Sequence, residues 1–205
     1  NLSDIKKITY YIEEAQRLKI SVQGPDINES EINFAVNKKG EIRFGLAAIK
    51  SVGVNAAQEI IRERDVNGPF LSPFDFIRRV NVNKRCIEAL VSAGSFDSFT
   101  KYHRAQYFNK VKTANNDEIT IIEKLVIYGN KIKNNENSSQ LSLFEDSIEE
   151  TYAEPEIPNC IEWSKIEILK QEKESIGFYI SGHPLDRFTL EQKLFENTKL
   201  SELSE

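Results

Sequence analysis

The stretch Leu46-Ala47-Ala48-Ile49-Lys50-Ser51-Val52-Gly53, with the residues that follow it, determines how we interpret this chain of 205 residues. Its first four residues are apolar, and apolar residues recur after Gly53 with the period of a helix. Lys50 to Gly53 leave room only for a tight turn, whose backbone we expect Gly53 to permit. We therefore predict a short helix, a turn, and a second helix from Asn55 to Arg64.

A second helical unit is predicted downstream of Asn67-Gly68-Pro69, which should end the preceding helix. One helix spans Ser72 to Arg79, with Pro73 well placed at a first helical position. The next spans Asn83 to Ala93 and stops at Gly94. A fifth helix should start near Tyr102 and run, broken around Asn115-Asn116, to about Lys131.

The two ends of the chain add a small amount of other structure. A helix is predicted from Ser3 to Leu18, and alternating apolar residues between Phe34 and Phe44, around Asn37-Lys38-Lys39-Gly40, predict a β-hairpin. After Trp163 a helix is predicted to about Tyr179, and a short one over 186–196. The predicted fold class is mainly α.

Residues 134–160 differ in composition from the rest of the chain. A polar run of Asn, Glu and Ser is followed by an acidic, proline-containing stretch, which has too little apolar surface to fold alone. We therefore predict a flexible acidic linker there.

Charge is unevenly distributed along the chain, whose net charge is −5. Residues 41–112 hold twelve basic and seven acidic side chains, a net charge of +5, whereas residues 113–205 are strongly acidic. The basic region 41–112 can bind phosphate groups. No run of about 20 apolar residues predicts a membrane span, and Cys86 and Cys160 lie too far apart in sequence to indicate a zinc site or a disulfide framework.

The turn at Lys50 to Gly53 is the first candidate site. Backbone N–H groups and a helix N-terminus at such a turn bind phosphate without reading a base. The pattern resembles a helix-hairpin-helix motif, although glycine is commoner where Ser51 stands, and Asn83 to Ser95 resembles the partner half of a tandem pair. The alternative is an ordinary helical hairpin with a capping glycine. The predicted DNA contacts are Lys50, Ser51, Val52, Gly53, Asn55, Lys84, Arg85, Gly94 and Ser95.

The second candidate site is a pentapeptide in the predicted linker, Gln140-Leu141-Ser142-Leu143-Phe144. A peptide with one polar residue and a small group of apolar side chains can become ordered when it docks into a hydrophobic pocket. It resembles the peptide by which bacterial polymerases and repair proteins bind the ring-shaped sliding clamp. The alternative is the start of a short helix that packs on its own domain.

Several strings in one order resemble a known family. They are residues 42–53, Gly68-Pro69-Phe70, Phe74-Asp75-Phe76, Asn83-Lys84-Arg85, Ala93-Gly94-Ser95-Phe96-Asp97 and residues 177–185. Together they are similar to the alpha subunits of bacterial DNA polymerase III, the C-family replicative polymerases. The resemblance implies the end of the fingers over 1–45, tandem helix-hairpin-helix over 46–133, a linker with a clamp-binding peptide over 134–160, and a helical connection toward an OB-fold over 161–205.

The resemblance also implies partners and a limit on activity. The parent polymerase uses Mg²⁺ held by palm aspartates, but this chain contains no Asp-x-Asp, so we expect an inactive piece without a cofactor. The implied partners are duplex DNA, the sliding clamp (beta subunit) and other holoenzyme subunits, in the bacterial cytoplasm and away from any membrane. A helix-hairpin-helix module of a DNA-repair protein and a pure interaction scaffold are the alternatives.

Overall fold

The computed structural model describes residues 5–113, 115–138 and 153–188, and these residues are mainly helical, as predicted. No helix within these ranges is long and apolar enough to cross a membrane. In chain order the elements are α1 (Ile5–Arg17), β1 (Val22–Gln23), β2 (Ala35–Val36), β3 (Ile42–Arg43), a 3₁₀ helix (Leu46–Ala48), α2 (Val54–Asn67), α3 (Pro73–Arg79), α4 (Lys84–Ser92), α5 (Arg104–Phe108), β4 (Lys110–Lys112), β5 (Glu118–Thr120), α6 (Ile121–Ser138), α7 (Lys165–Ile176) and a second 3₁₀ helix (Pro184–Phe188).

The predicted β-hairpin near the N-terminus is present and belongs to a three-stranded sheet. β2 pairs antiparallel with β3, with Val36 opposite Ile42. At the tip, the Asn37 side chain accepts hydrogen bonds from the backbone of Lys39 and Glu41, and Gly40 adopts a φ of +79°. β1 adds on the other side of β3 in parallel; a two-residue strand is too short for a periodicity to predict.

A single aromatic cluster holds the helical domain together. Phe76 and Phe96 are buried and lie 5.1 Å apart between ring centroids, and Tyr107 packs on Phe96 at 5.8 Å. Phe76 lies in α3 and Phe96 follows α4, and both helices start at capped positions: the Ser72 side chain accepts from the backbone N–H of Asp75, and the Asn83 side chain accepts from that of Cys86. Local capping therefore sets where α3 and α4 begin, and ring packing sets how they meet.

The predicted fifth helix is wrong over residues 109–120. α5 ends at Phe108, and β4 and β5 form a second hairpin before α6 begins. Val111 and Ile119 face each other with period-two alternation, and Asn116 takes a left-handed φ of 66°, which asparagine tolerates. The predicted break at Asn115-Asn116 is the tip of this hairpin.

Both ends of the predicted linker, 134–160, belong to described structure, and residues 139–152 lie outside the described residues. α6 continues to Ser138, and residues 153–160 lie against the helical domain. Ile157 is buried, Lys124 donates its Nζ to the Glu156 carbonyl at 3.2 Å, and Gln106 donates to the Pro158 carbonyl at 3.1 Å. The composition of this stretch indicated that it cannot fold alone, but it folds here on a surface supplied by other residues.

The C-terminal helix ends earlier than predicted. α7 stops at Ile176 because Gly177 takes a left-handed φ of 108° and donates its N–H to the Lys173 carbonyl. Of the helix predicted over 186–196, the structure describes only the short 3₁₀ turn from Pro184 to Phe188; the remainder lies outside the described residues.

Candidate nucleic-acid interface

The first predicted helix–turn–helix is present, and buried apolar residues hold it in place. Leu46, Ile49 and Val52 are all at most 3% exposed, so the Val52 side chain belongs to the core. Ser51 adopts a φ of 68°, a left-handed conformation that non-glycine residues rarely take. Burial on both sides of Ser51 therefore fixes a turn that the residue would not adopt by preference.

The N-terminus of α2 carries no side-chain cap. Its N-cap residue is Gly53, and within the part of the chain that the structure describes no side chain accepts a hydrogen bond from the first turn of the helix. Ser72, Asn83 and Ser164 cap α3, α4 and α7 with their side chains. Since the first N–H groups of a helix need an acceptor from outside the helix, the exposed start of α2 is a ready site for an anion.

Gly53 has a different role from the one its sequence position suggested. We predicted that it permits the tight backbone, but its φ is −73° and its ψ is 160°, which any residue can adopt. A Cβ built at Gly53 would meet nothing within 4 Å. Glycine here therefore leaves open space in front of the α2 amides, as close approach of a ligand requires.

Lys50 is exposed but already has partners in the protein. Its Nζ donates to the Glu174 carbonyl at 2.9 Å, and its backbone N–H donates to the Ser175 carbonyl at 2.8 Å. Both acceptors lie in the last turn of α7, where a helix carries partial negative charge. The predicted contact of Lys50 with DNA thus has to share the ammonium group with α7.

Lys84 and Arg85, at the start of α4, are both exposed. Lys84 Nζ lies 2.8 Å from Glu123 and 3.5 Å from Glu88; the hydrogen bond to Glu123 raises the pKa of Lys84 and, as the largest cause, lowers the pKa of Glu123 to about 2. Arg85 has no ion-pair partner within the part of the chain that the structure describes. Arg85 is accordingly the freer cation of the two.

Gly94 and Ser95, the remaining predicted DNA contacts, are buried. Gly94 has a φ of +87°, and a Cβ at this position would overlap the guanidinium group of Arg104. Ser95 donates its N–H to the Leu90 carbonyl at 2.8 Å and accepts from the Ile27 N–H at 3.1 Å. Both residues therefore lie on the inside of the second turn, and the Ser95 side chain does not face solvent.

Arg104 is the residue at this turn that the sequence analysis missed. It is 12% exposed and lies 2.6 Å from Asp97 and 3.2 Å from Glu172, and it also donates to the Ser92 carbonyl at 3.3 Å. Its hydrogen bond and charge interaction with Asp97 raise its pKa against the effect of burial. Because Glu172 is distant in sequence, no local pattern could reveal the pair.

The basic character of residues 41–112 is partly offset on folding. Among the described residues, five of its cations pair with carboxylates from outside that range: Arg43 with Glu29, Arg64 with Glu31, Arg78 with Glu154, Lys84 with Glu123, and Arg104 with Glu172. A net charge summed along the sequence therefore overstates the positive surface potential of this region. A phosphate that approached this surface would interact with individual exposed groups, such as the α2 N-terminus and Arg85.

The predicted clamp-binding residues, 140–144, lie outside the described residues. Within the described ranges there is no group of three or more His, Cys, Asp or Glu side chains that could hold a metal ion. His183 stabilises a turn: its Nδ1 accepts from the Leu185 N–H at 3.2 Å, and its own N–H donates to Asp186 at 2.6 Å.

Comparison with known proteins identifies the same region. Residues 19–107 match the model of the helix-hairpin-helix motif. The DNA polymerase III subunit alpha of Thermus aquaticus is 37% identical over 90% of this chain, that of Borreliella burgdorferi 36% identical over 89%, and that of Pseudomonas aeruginosa 30% identical over 99%. The chain spans between 14% and 18% of the length of these relatives.

Proposed function

This chain belongs to the family of DNA polymerase III alpha subunits, and we propose that it grips duplex DNA by the sugar–phosphate backbone. The observation that carries the proposal is the start of α2, where an exposed and uncapped helix N-terminus stands behind an open glycine within the helix-hairpin-helix match. The catalytic step of the polymerase would belong to other parts of the parent protein, so this segment holds the product of synthesis and does not make it.

Phosphate is the chemical group that fits this place. One of its oxygens can accept hydrogen bonds from the free N–H groups at residues 54–56, and the positive end of the helix dipole attracts its charge. The open face of Gly53 admits it without a steric clash. Backbone amides and a dipole distinguish no base from another, so the grip is independent of sequence.

A second attachment at α4 would steady the duplex. Arg85 is exposed and lacks a described ion-pair partner, so its guanidinium can pair with a phosphate in the fork geometry that Arg favours. The burial of Gly94 and Ser95 favours a supporting role of the second turn for this helix. We therefore expect the two halves of the tandem motif to contribute unequally, with the first supplying amides and the second a cation.

A third attachment would be the sliding clamp. The pentapeptide Gln140 to Phe144 has the composition of a clamp-binding peptide and lies between α6 and residues 153–160, which pack on the helical domain. Two weak attachments to one DNA–clamp assembly raise the effective concentration of each and multiply into stable association. We propose this tethering role for the cytoplasmic replication machinery of the bacterium.

The DNA proposal is tested by fluorescence anisotropy with labelled duplexes of unrelated sequence. We expect equal affinity for each sequence and a linear fall of log K with log salt concentration. Asn55→Asp adds one negative charge beside the α2 amides and should weaken binding about tenfold, since the loss of a charge-assisted contact costs about 1.5 kcal/mol. Asn116→Asp, the same change at the tip of the β4–β5 hairpin, is the matched control. Equal affinity of the two variants would contradict the assignment of the site.

The clamp proposal is tested by calorimetry with the purified sliding clamp. We expect binding by the unmodified chain, and loss of binding by the Leu143→Ala, Phe144→Ala double variant, because apolar side chains of the peptide are removed. Retained binding by the double variant would rule out this peptide as the anchor while leaving the DNA proposal intact.

A further inference from the structure

The C-terminal residues 165–181, which we call the brace, contact both turns of the tandem motif. The brace comprises α7 and the loop that follows it, and it lies entirely outside the helix-hairpin-helix match at 19–107. Its buried residues Leu169, Glu172 and Ile176 face the helical domain. Phe178 extends the contact to the N-terminal sheet, with its ring 5.6 Å from that of Phe44.

At the first turn, the brace binds Lys50, the residue before Ser51, whose φ is left-handed. The carbonyls of Glu174 and Ser175 accept the two hydrogen bonds of Lys50, at 2.9 and 2.8 Å. On the other side of Ser51, Val52 is buried and donates its N–H to the Ile49 carbonyl at 3.1 Å. The left-handed φ of Ser51 is thus imposed from both flanks, and one flank is supplied by α7.

At the second turn, the brace contributes a buried carboxylate. Glu172 is 1% exposed; its Oε1 lies 3.2 Å from Arg104, while its Oε2 accepts the backbone N–H groups of Ile180 and Ser181 at 3.1 and 3.0 Å. One carboxylate therefore ties the second turn, through Arg104, to the loop that terminates α7. Loss of the Glu172 contacts would therefore free the C-terminal end of α7, which accepts the hydrogen bonds of Lys50.

We propose that the brace positions the phosphate-binding turn, with Glu172 and Arg104 as positioning residues that do not themselves touch DNA. The inference rests on the proposed function and deepens it. The brace holds Ser51 in its left-handed conformation, and that conformation directs the start of α2 outward. A segment beyond the recognised motif is therefore part of the DNA grip, and its loss weakens binding without removing any DNA contact.

The test compares two charge-matched variants of the full chain, Glu172→Gln and Glu174→Gln. Both remove one negative charge near the C-terminal end of α7, but only the Glu172 side chain makes the contacts described, and the Glu174 side chain is exposed. Charge alone predicts that both variants bind duplex DNA slightly more tightly. If the brace positions the turn, Glu172→Gln should instead bind duplex DNA about tenfold more weakly. Glu174→Gln should bind it at least as tightly as the unmodified chain does.

Ser51→Gly separates positioning from a general loss of stability. Glycine adopts a positive φ without strain, so a turn with glycine at this position depends less on the brace. Glu172→Gln should therefore lose markedly less affinity in the Ser51→Gly background, although its melting temperature falls equally in both; a double-mutant cycle measures this coupling. If Glu172→Gln fails to fold, Arg104→Lys takes its place in the same cycle, since lysine keeps the charge but cannot hold Asp97, Glu172 and the Ser92 carbonyl together.

The outcomes separate the two proposals. If the unmodified chain does not bind duplex DNA, the proposed function fails. If it binds and Glu172→Gln matches Glu174→Gln, or if the loss is the same with and without Ser51→Gly, the brace inference alone is overturned.

Discussion

Replacing Gly53 by aspartate should stabilise the protein and at the same time remove the phosphate site that we propose at the start of α2. Gly53 is the N-cap of α2, and its φ of −73° suits any residue. A Cβ added at this position would meet no atom within 4 Å. An aspartate there can accept hydrogen bonds from the first turn of α2, as Ser72 and Asn83 do for their helices. The same carboxylate would occupy the amides that we assign to a phosphate.

The gain in stability has three parts. Aspartate is a better N-cap than glycine by a few tenths of a kcal/mol, a negative charge at a helix N-terminus contributes about 0.3–1 kcal/mol, and replacing glycine at a compatible φ stabilises by about 0.4–1 kcal/mol through the unfolded chain. The sum is about 1–2 kcal/mol. For a chain of this size, that raises the melting temperature by roughly 2–8 °C.

The loss in binding should be larger than the gain in stability. Losing one charge-assisted phosphate contact costs about 1.5–3 kcal/mol, which corresponds to a loss of affinity of roughly 10- to 100-fold. The slope of log K against log salt should also fall by about 0.9, the value for one phosphate. Thermal melts followed by circular dichroism measure the first effect, and anisotropy titrations over a salt series measure the second.

Gly53→Ala is the control for this prediction. Alanine also fits at Gly53, and its methyl group narrows the approach to the α2 amides but accepts no hydrogen bond from them. We therefore expect Gly53→Ala to lose clearly less affinity than Gly53→Asp and to keep the original salt slope. The reasoning would be refuted by a Gly53→Asp variant that melts at a higher temperature and still binds duplex DNA with unchanged affinity and salt slope. In that case the carboxylate caps α2 and no phosphate uses the same amides.

Three further predictions concern stability and reactivity. Gly45→Ala should destabilise the fold by about 2–3 kcal/mol, measured by urea denaturation, because its Cβ would overlap the backbone of Asn33; Gly53→Ala should not. Lys84→Gln should lower stability at neutral pH and have little effect near pH 2, because the lowered pKa of Glu123, about 2, gives a stabilisation that is present above its ordinary value of 4.5 and is lost as the pH falls through about 2; melts over that pH range test this. Cys86 should be alkylated at least about tenfold more slowly than Cys160 in mass-spectrometric time courses, since Cys86 is buried and burial raises its pKa to about 11.

The helices and turns were largely predictable because their signals are local. Pro73 marks the start of α3, Gly94 marks the end of α4, and the turn at residues 50–53 lies where the spacing indicated. The second hairpin was missed because Val111 and Ile119 fit a helix and a strand about equally well in so short a stretch. The boundary of α6 was missed because a polar sequence such as Asn134-Asn135-Glu136 does not reveal that a helix begun by buried residues continues through it.

The candidate site was predictable in place and only partly in detail. The sequence correctly identified the exposed turn before α2, but it assigned the unusual backbone to Gly53, whereas Ser51 has the left-handed φ. It also nominated Gly94 and Ser95, which are buried. A glycine in a motif can allow a positive φ, a close packing contact or the close approach of a ligand. Only the surrounding atoms show which of these roles applies.

By itself the sequence determined that the chain is mainly helical, that a tight turn, our candidate phosphate site, precedes Asn55, and that the chain resembles one polymerase family. The tertiary structure alone decided which residues of that turn remain open, and it brought Arg104 to Glu172 and Lys50 to the end of α7. Caps, glycines and periodicity act between neighbours in the chain and can be read in order. Burial and ion pairs join residues tens of positions apart, so they exist only once the chain has folded.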